Sequence, residues 1–221
     1  MSKHLHRDMD HLHRHILSLS TMVEEMIDKA IVALSDRRRD LADEVVRSDN
    51  SVDQTEVQIE EECLKILALH QPVAADLRRI ATVLKVNGDL ERIADLAVSI
   101  AERAKAIQEC GEFPIPARMN AMVDLTMQMV RGAMDAFVNL DAAAAKRILR
   151  LDNEVDQLNR DIIAELQTLM QKHSDLVVPA LHCFSATRHI ERIGDHATNI
   201  AEDVVYLAEG EIVRHKKSGG K

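Results

Sequence analysis

Acidic side chains at helical spacing are the residues of this sequence best suited to chemistry. Glu91 and Asp95 lie four residues apart, and Glu191 and Asp195 repeat that spacing in the second half of the chain. Residues four apart share one face of an α-helix, so each pair points two carboxylates in the same direction. An ordinary amphipathic helix does not require such stacked like charges, which indicates a possible cation site on each helix.

Two earlier acidic pairs have the same spacing and would face these helices in a hairpin. Asp53 lies about 18 residues before the break at Gln71 and Glu91 about 20 residues after it, which makes the two nearly level in an antiparallel pair at about 1.5 Å per residue. A similar count around Asp175 applies to the second half. The sequence therefore predicts two four-carboxylate clusters, one of Asp49, Asp53, Glu91 and Asp95 and one of Asp152, Asp156, Glu191 and Asp195.

Four converging carboxylates would repel one another and raise one another's pKa values unless a cation lay between them. Oxygen ligands without a regular histidine partner favour iron, magnesium, manganese or calcium over zinc or copper. The alternative is a solvated helix face in a chain with 37 acidic residues, but recurrence in both halves favours metal sites. The first cluster can recruit Glu56 and Glu60, whereas the corresponding residues are Asn159 and Ile163, so we expect the second site to hold fewer or weaker ions.

Histidines offer a second possible metal locus near the amino terminus, where we prefer the interpretation of a solvated or flexible end. The residues concerned are His4, His6, His11, His13 and His15. His196 follows Asp195 and is a possible extra ligand of the second cluster, although a hydrogen-bonding surface histidine is the preferred interpretation.

Helices must position all of these groups, because the composition favours an all-α fold. Hydrophobic residues make up 46% of the chain and aromatic residues only 2%, while seven Gly and four Pro leave few turns for an antiparallel sheet. Apolar periodicity predicts six helices, over about residues 8–36, 40–70, 73–108, 117–138, 141–171 and 176–209.

The two halves of the chain are similar to each other, which indicates an internal duplication. DLERIADLAVSIAE from Asp89 matches HIERIGDHATNIAE from His189, and SDNSVD from Ser48 matches LDNEVD from Leu151. The predicted organisation is two antiparallel three-helix bundles related by pseudo-symmetry. We place the repeats at 1–110 and 117–210, with a linker over 111–116 and a flexible tail over 211–221.

Charge and cysteine content exclude several classes of function. The formal charge of -9 argues against nucleic-acid binding, which relies on a surplus of Lys and Arg. Three scattered cysteines without C-x-x-C spacing indicate neither a disulfide framework nor a structural zinc site. Without a signal-peptide pattern or an apolar run of about 18 residues, we expect a cytoplasmic protein that is at most peripheral to a membrane.

The duplicated layout resembles the PhoU family. The likeness lies in the segment PVAADLRRIATVLKVNGDLERIADLAVSIAE and in HIERIGDHATNIAE, and it extends from the first helix to about Tyr206. It implies metal ions or clusters, iron among them, on the eight carboxylates named above. Ala94 stands where the family usually has Gly, and Leu96 where it has His, so the first cluster departs from the family pattern.

The resemblance also implies partners and a regulatory role. Family members associate with the ATPase subunit of a phosphate ABC transporter and with a phosphate-sensing histidine kinase, restraining uptake and signalling when phosphate is plentiful, and they often form homodimers. The expected function is therefore a non-enzymatic, metal-binding adaptor. The alternatives are a di-iron carboxylate enzyme, although no His has Glu three residues before it, and a metal-free dimeric scaffold.

Overall fold

The computed structural model describes residues 3–210, and their regular structure is helical, as the sequence predicts. Six α-helices and one short 3-10 turn follow one another along the chain. They are α1 (Lys3–Ser35), α2 (Arg39–His70), α3 (Ala74–Glu109), α4 (Arg118–Asn139), α5 (Ala142–Lys172), the turn Ser174–Leu176 and α6 (Val177–Glu209). The all-α fold with six helices is confirmed, and each helix pair is joined by a short connection.

Helix α1 begins at Lys3, earlier than the start near residue 8 that the sequence predicts. The reason is that its apolar stripe continues to the amino-terminal end, where Leu5 and Met9 are buried in the same core as Leu12 and Ile16. Spacings of four, three and four residues keep these side chains on one helix face. The first turns of α1 are therefore held by packing and carry several of the amino-terminal histidines on a regular helix.

Local signals explain where the hairpins turn. Helix α2 ends at His70, and Gln71 then adopts a left-handed conformation with φ 45° immediately before Pro72, which cannot continue the helix with a backbone donor. Helix α5 begins after Asp141, whose side chain accepts a hydrogen bond from the backbone N–H of Ala144 at 2.8 Å. These ends fix the lengths over which neighbouring helices pair.

Each half forms a three-helix bundle, and the bundles meet along α3 and α6. Lys85 Nζ lies 2.9 Å from Asp203 Oδ1, and Arg103 lies beside His182 farther along the same two helices. The contacting residue numbers rise in α3 as they fall in α6, so the two helices are antiparallel. Buried Ile93, together with other aliphatic side chains of both helices, belongs to one continuous core.

The division into repeats at 1–110 and 117–210 stays a prediction, and the tail expected over 211–221 lies outside the described residues. The segment between the bundles runs without helix from Gly111 to Pro116, where the linker was expected. No helix in the described part of the chain combines the length and the hydropathy needed to cross a membrane.

Candidate metal centres

The first candidate centre lies on the surface where α2 packs against α3. Its register is set by Asn87, which is buried on α3 and donates from Nδ2 to both the backbone oxygen and Oε1 of Glu56 on α2, each at 3.0 Å. With these residues opposite each other, Asp53 on α2 comes close to Glu91 on α3, and Asp49 comes close to Asp95. Asp49 and Glu91 are half-buried, whereas Asp53 and Asp95 are exposed.

The four carboxylates of the first cluster are electrostatically coupled. Partial burial raises the pKa of Asp49, and the charges of Asp53 and Asp95 raise it further. Partial burial also raises the pKa of Glu91, followed by the charge of Asp95; Arg92 opposes the increase, while Glu56 and Asp53 add to it. The first cluster thus contains four mutually repelling carboxylates, with Glu56 at its edge.

The second candidate centre has the same construction on α5 and α6. The pKa of Asp195 is raised to about 6, first by partial desolvation and then by the charges of Glu191, Asp152 and Asp156. Burial and the charge of Asp156 raise the pKa of Asp152, although Thr198 Oγ1 donates a hydrogen bond to it at 3.4 Å and opposes the shift. All four residues of the second predicted cluster therefore share one electrostatic environment.

Arginines partly neutralise both clusters from the solvent side. Arg92 Nε lies 3.4 Å from Glu91 Oε2, and Arg188 Nη1 lies 2.9 Å from Glu191 Oε1. Their side chains are 64% and 45% exposed, so solvent screens these ion pairs and limits their energy. The arginines leave net negative charge in each cluster, which is available to a cation.

Two buried carboxylate oxygens support the fit of a cation to these clusters. Asp49 Oδ1 in the first cluster and Glu191 Oε2 in the second are shielded from solvent and have no hydrogen-bond partner. A buried polar atom without a partner costs free energy, and a metal ion that takes oxygen ligands would satisfy it. The residues present therefore fit a hard cation in their chemistry.

The clusters are more open than a formed coordination sphere. Across residues 3–210, the eight carboxylates provide no set of three ligand atoms lying within 4.8 Å of one another. Binding an ion through three of these oxygens therefore requires side-chain rotation, for which the exposed Asp53, Asp95 and Asp195 have space on the solvent side. Metal binding at the eight residues stays a prediction.

The neighbours of the two clusters differ. Glu56 belongs to the first cluster, where burial, Glu60 and Asp53 raise its pKa. Its counterpart Asn159 is buried, and its Oδ1 has no hydrogen-bond partner. The second cluster therefore has a neutral amide where the first has a carboxylate, and weaker binding there stays a prediction.

His196 contacts the opposite repeat. Its Nδ1 lies 2.8 Å from Asp89 Oδ1 on α3, and Asn199 Nδ2 donates to the same oxygen at 3.2 Å. His196 is thus a hydrogen-bonding residue, as preferred, but it lies at the junction of the two bundles and is only 18% exposed. No local pattern in the sequence pairs it with Asp89.

Glu62 was not singled out by sequence reasoning, although it lies against the amino-terminal histidines. Its Oε2 is 3.4 Å from His11 Nδ1, and its Oε1 is 3.1 Å from His15 Nδ1. The i, i+4 spacing of the two histidines was visible in the sequence, but the position of α2 beside α1 was needed to find the carboxylate.

Comparison with known proteins identifies the same duplicated architecture. The PhoU domain family matches residues 16–104 and 119–204. A phosphate-specific transport system accessory protein PhoU homologue from Pseudomonas putida is 38% identical over 216 residues, which cover 97% of this chain and 84% of that protein.

Solved structures with this fold include two from other bacteria. The crystal structure of PhoU from Pseudomonas aeruginosa superposes with a TM-score of 0.91 at 37% identity, covering 93% of this chain and 99% of that one. The phosphate transport system regulatory protein PhoU from Streptococcus pneumoniae gives a TM-score of 0.89 at 27% identity, covering 95% and 99%.

Proposed function

The chain belongs to the PhoU family, and from this premise we propose that it is an accessory and regulatory protein of a phosphate-specific transport system. The observation that carries the proposal is the match of two PhoU domains to residues 16–104 and 119–204, together with similarity to accessory proteins over 97% of the chain. The relatives are named as accessory or regulatory proteins, which supports a non-enzymatic role.

At finer detail, the proposed role is that of a cytoplasmic adaptor and negative regulator. Its partners would be the ATPase subunit of a phosphate ABC transporter and a phosphate-sensing histidine kinase, with the chain acting as a homodimer and reaching the membrane only through them. Apolar side chains exposed near the hairpin ends support protein contacts, because such groups gain from burial against a partner. They include Leu69, Val73 and Leu77 in the first repeat and Val178 and Leu181 in the second.

Metal ions are proposed to bind the two carboxylate clusters and to influence which arrangement of the helices predominates. An ion held by Asp49, Asp53, Glu91 and Asp95 would join α2 to α3, and the second set would join α5 to α6. A ligand shifts a conformational equilibrium only when it binds one state better than the other. Metal occupancy would therefore affect partner binding if the metal and the partners both distinguish between the arrangements of the helices. The unpaired buried oxygens of Asp49 and Glu191 support this part of the proposal.

Metal analysis of untagged protein and partner binding together test this function. We expect iron, manganese, magnesium or calcium to co-purify, the ATPase subunit to bind, and a phosphate-regulon reporter to be repressed in high phosphate. The double variant Asp95→Ala/Asp195→Ala should lose metal, partner binding and repression. The matched control is Glu154→Gln, which removes a negative charge from an exposed position of α5 near the second cluster.

The outcomes separate the proposed role in phosphate transport from the proposed metal-dependent adaptor function. Loss of metal from the double variant with partner binding and repression intact would leave an accessory protein but remove the metal-dependent adaptor. Failure of the wild-type chain to bind the ATPase subunit or to affect the reporter would overturn the transport role itself.

A metal-free scaffold is the second candidate, because no three of the cluster oxygens are already gathered within 4.8 Å among the described residues. In that case wild-type protein purified without chelating resin would carry no stoichiometric metal, and chelators would change neither its stability nor its affinity for partners.

A further inference from the structure

We propose that His11, His15 and Glu62 form a binding site for a late first-row divalent transition metal such as zinc, separate from the carboxylate clusters. His11 and His15 are one turn apart on α1, and Glu62 reaches them from α2. One potential ligand atom from each of the three residues lies within 4.8 Å of the other two. Within the described residues, this is the one group of three His, Cys, Asp or Glu side chains that meets this condition.

The distances match those expected between ligands of a single ion. Zinc binds imidazole nitrogen and carboxylate oxygen at about 2.0–2.2 Å, so ligand atoms around a tetrahedral ion lie about 3.4 Å from each other. Glu62 Oε2 is 3.4 Å from His11 Nδ1, and Glu62 Oε1 is 3.1 Å from His15 Nδ1. The two rings lie with their centroids 4.2 Å apart. With one potential ligand atom of each residue within 4.8 Å of the others, side-chain rotation can direct both histidines and one carboxylate oxygen at a shared ion.

The site rests on rigid elements although its ligands are accessible. Leu12 and Ile16 are fully buried beside the two histidines on α1, and Ile59 and Cys63 are fully buried beside Glu62 on α2. This packing fixes the separation of the two helices before any ion arrives, which lowers the ordering cost of binding. The site differs here from the carboxylate clusters, whose potential ligands still have to be gathered.

The type of ion follows from the donors. Two imidazole nitrogens and one carboxylate suit zinc and its late first-row neighbours, whereas magnesium and calcium take oxygen ligands. His11 and Glu62 line a cleft of about 380 Å³, and the His11 side chain is 53% exposed, so water has access to the site. Asp8 borders the same cleft but is engaged by His70 at 3.0 Å, so it is not counted as a ligand.

The competing explanation is an ordinary surface ion pair, in which protonated His11 or His15 neutralises Glu62. In that arrangement the three residues bind no metal, because the histidine already occupies the Glu62 carboxylate that a metal ion would need. The two explanations therefore differ in whether the three side chains bind zinc: a metal site binds it, whereas the ion pair does not.

Cobalt and zinc titrations of the untagged full-length chain, stripped with chelator and dialysed, decide between them. Cobalt should give the intense visible absorption of a low-symmetry site with nitrogen ligands, and zinc should displace it. Loss of an outer-shell partner already weakens a metal site by about 10- to 100-fold, so His11→Gln, His15→Gln and Glu62→Gln should each weaken zinc binding at least about tenfold. The matched control is His6→Gln, a solvent-exposed histidine on the same helix that pairs with Asp10 instead.

A second variant distinguishes this site from the carboxylate clusters. Asp95→Asn/Asp195→Asn should keep the cobalt absorption and one zinc equivalent, even if it loses the hard cations of the proposed function. The proposal is overturned if His15→Gln and Glu62→Gln bind zinc as tightly as wild type, or if the Asp95→Asn/Asp195→Asn protein loses the signal. All the substituted side chains lie outside the core, so we expect each variant to fold. Circular dichroism of each variant checks that a loss of metal binding is not caused by unfolding.

Discussion

Replacing Asp195 with Asn should stabilise the metal-free protein at neutral pH. In the second cluster the pKa of this carboxyl group is raised from 3.8 to about 6 by partial desolvation and by Glu191, Asp152 and Asp156. A carboxyl group with a raised pKa binds its proton more tightly in the folded state than in the unfolded state. The raised pKa of Asp195 therefore contributes stability to the folded state below about pH 4, and this contribution is lost as the pH rises through 6.

The size of the effect follows from the shift and from the exposure of the side chain. A shift of about two pKa units corresponds to about 3 kcal/mol as an upper limit. Asp195 is exposed at the protein surface, so water and salt screen the repulsion, and we expect about 1 kcal/mol. In a chain of this size, that free energy raises the melting temperature by about 2–4 °C.

The assay is urea or thermal unfolding in chelator at several pH values between 4 and 8. The free energy of unfolding of Asp195→Asn should exceed that of wild type by a few tenths of a kcal/mol at pH 4 and by about 1 kcal/mol at pH 7. Glu154→Gln is the control, because it removes one negative charge from an exposed position outside the cluster. A stabilisation by Asp195→Asn that does not grow with pH would refute the electrostatic reasoning.

Metal ions should reverse the sign of the effect. An ion that binds the folded state at 100 times its dissociation constant stabilises it by about 2.7 kcal/mol, and the Asn variant forfeits part of that gain with its ligand oxygen. We therefore expect Asp195→Asn to be more stable than wild type in chelator and less stable in saturating metal. If no cation from the iron, manganese, magnesium and calcium set reverses the order, the second cluster is not a metal site.

Three further outcomes follow from the structure. Cys110 is exposed, whereas burial raises the pKa values of Cys63 and Cys183 to about 12, so a thiol reagent should modify one cysteine in the native protein and all three in denaturant. Ile93→Ala should lower the free energy of unfolding by about 2–5 kcal/mol in urea titrations, because the side chain is fully buried in the shared core. Glu56→Gln should weaken metal binding at the first cluster and leave the affinity of the second cluster at its wild-type value. Calorimetry measures the affinity of each cluster separately when the other cluster is disabled. Equal affinities of the first cluster in wild type and in Glu56→Gln would show that Glu56 is not a ligand.

The helices were predictable because helical periodicity is local. Apolar residues at spacings of three and four mark each segment, and Pro72 and the Cys110–Pro116 break separate them, so all six helices are found close to their expected positions. The one clear difference in a boundary concerns α1. A charged, histidine-rich end looked solvated, but Leu5 and Met9 continue the buried stripe and carry the helix to Lys3.

The approach of the acidic pairs was also predictable to a useful extent. Antiparallel helices advance by equal steps in opposite directions, so counting from the turn places Asp53 opposite Glu91 without any knowledge of packing. Counting does not give the rotation of each helix about its axis. The structure adds that Asn87 fixes this rotation through Glu56, and that the cluster oxygens remain too far apart to form a closed coordination sphere.

The sequence by itself determined the helical class, the duplication and the family, and it predicted the two sets of four carboxylates, because each follows from a local period or from a repeated motif. Tertiary structure alone decided which distant residues meet: Asp89 with His196 across the two bundles, and Glu62 with His11 and His15 across α1 and α2. Those pairings depend on how buried side chains set the rotation and offset of whole helices, and this information is spread over the entire core.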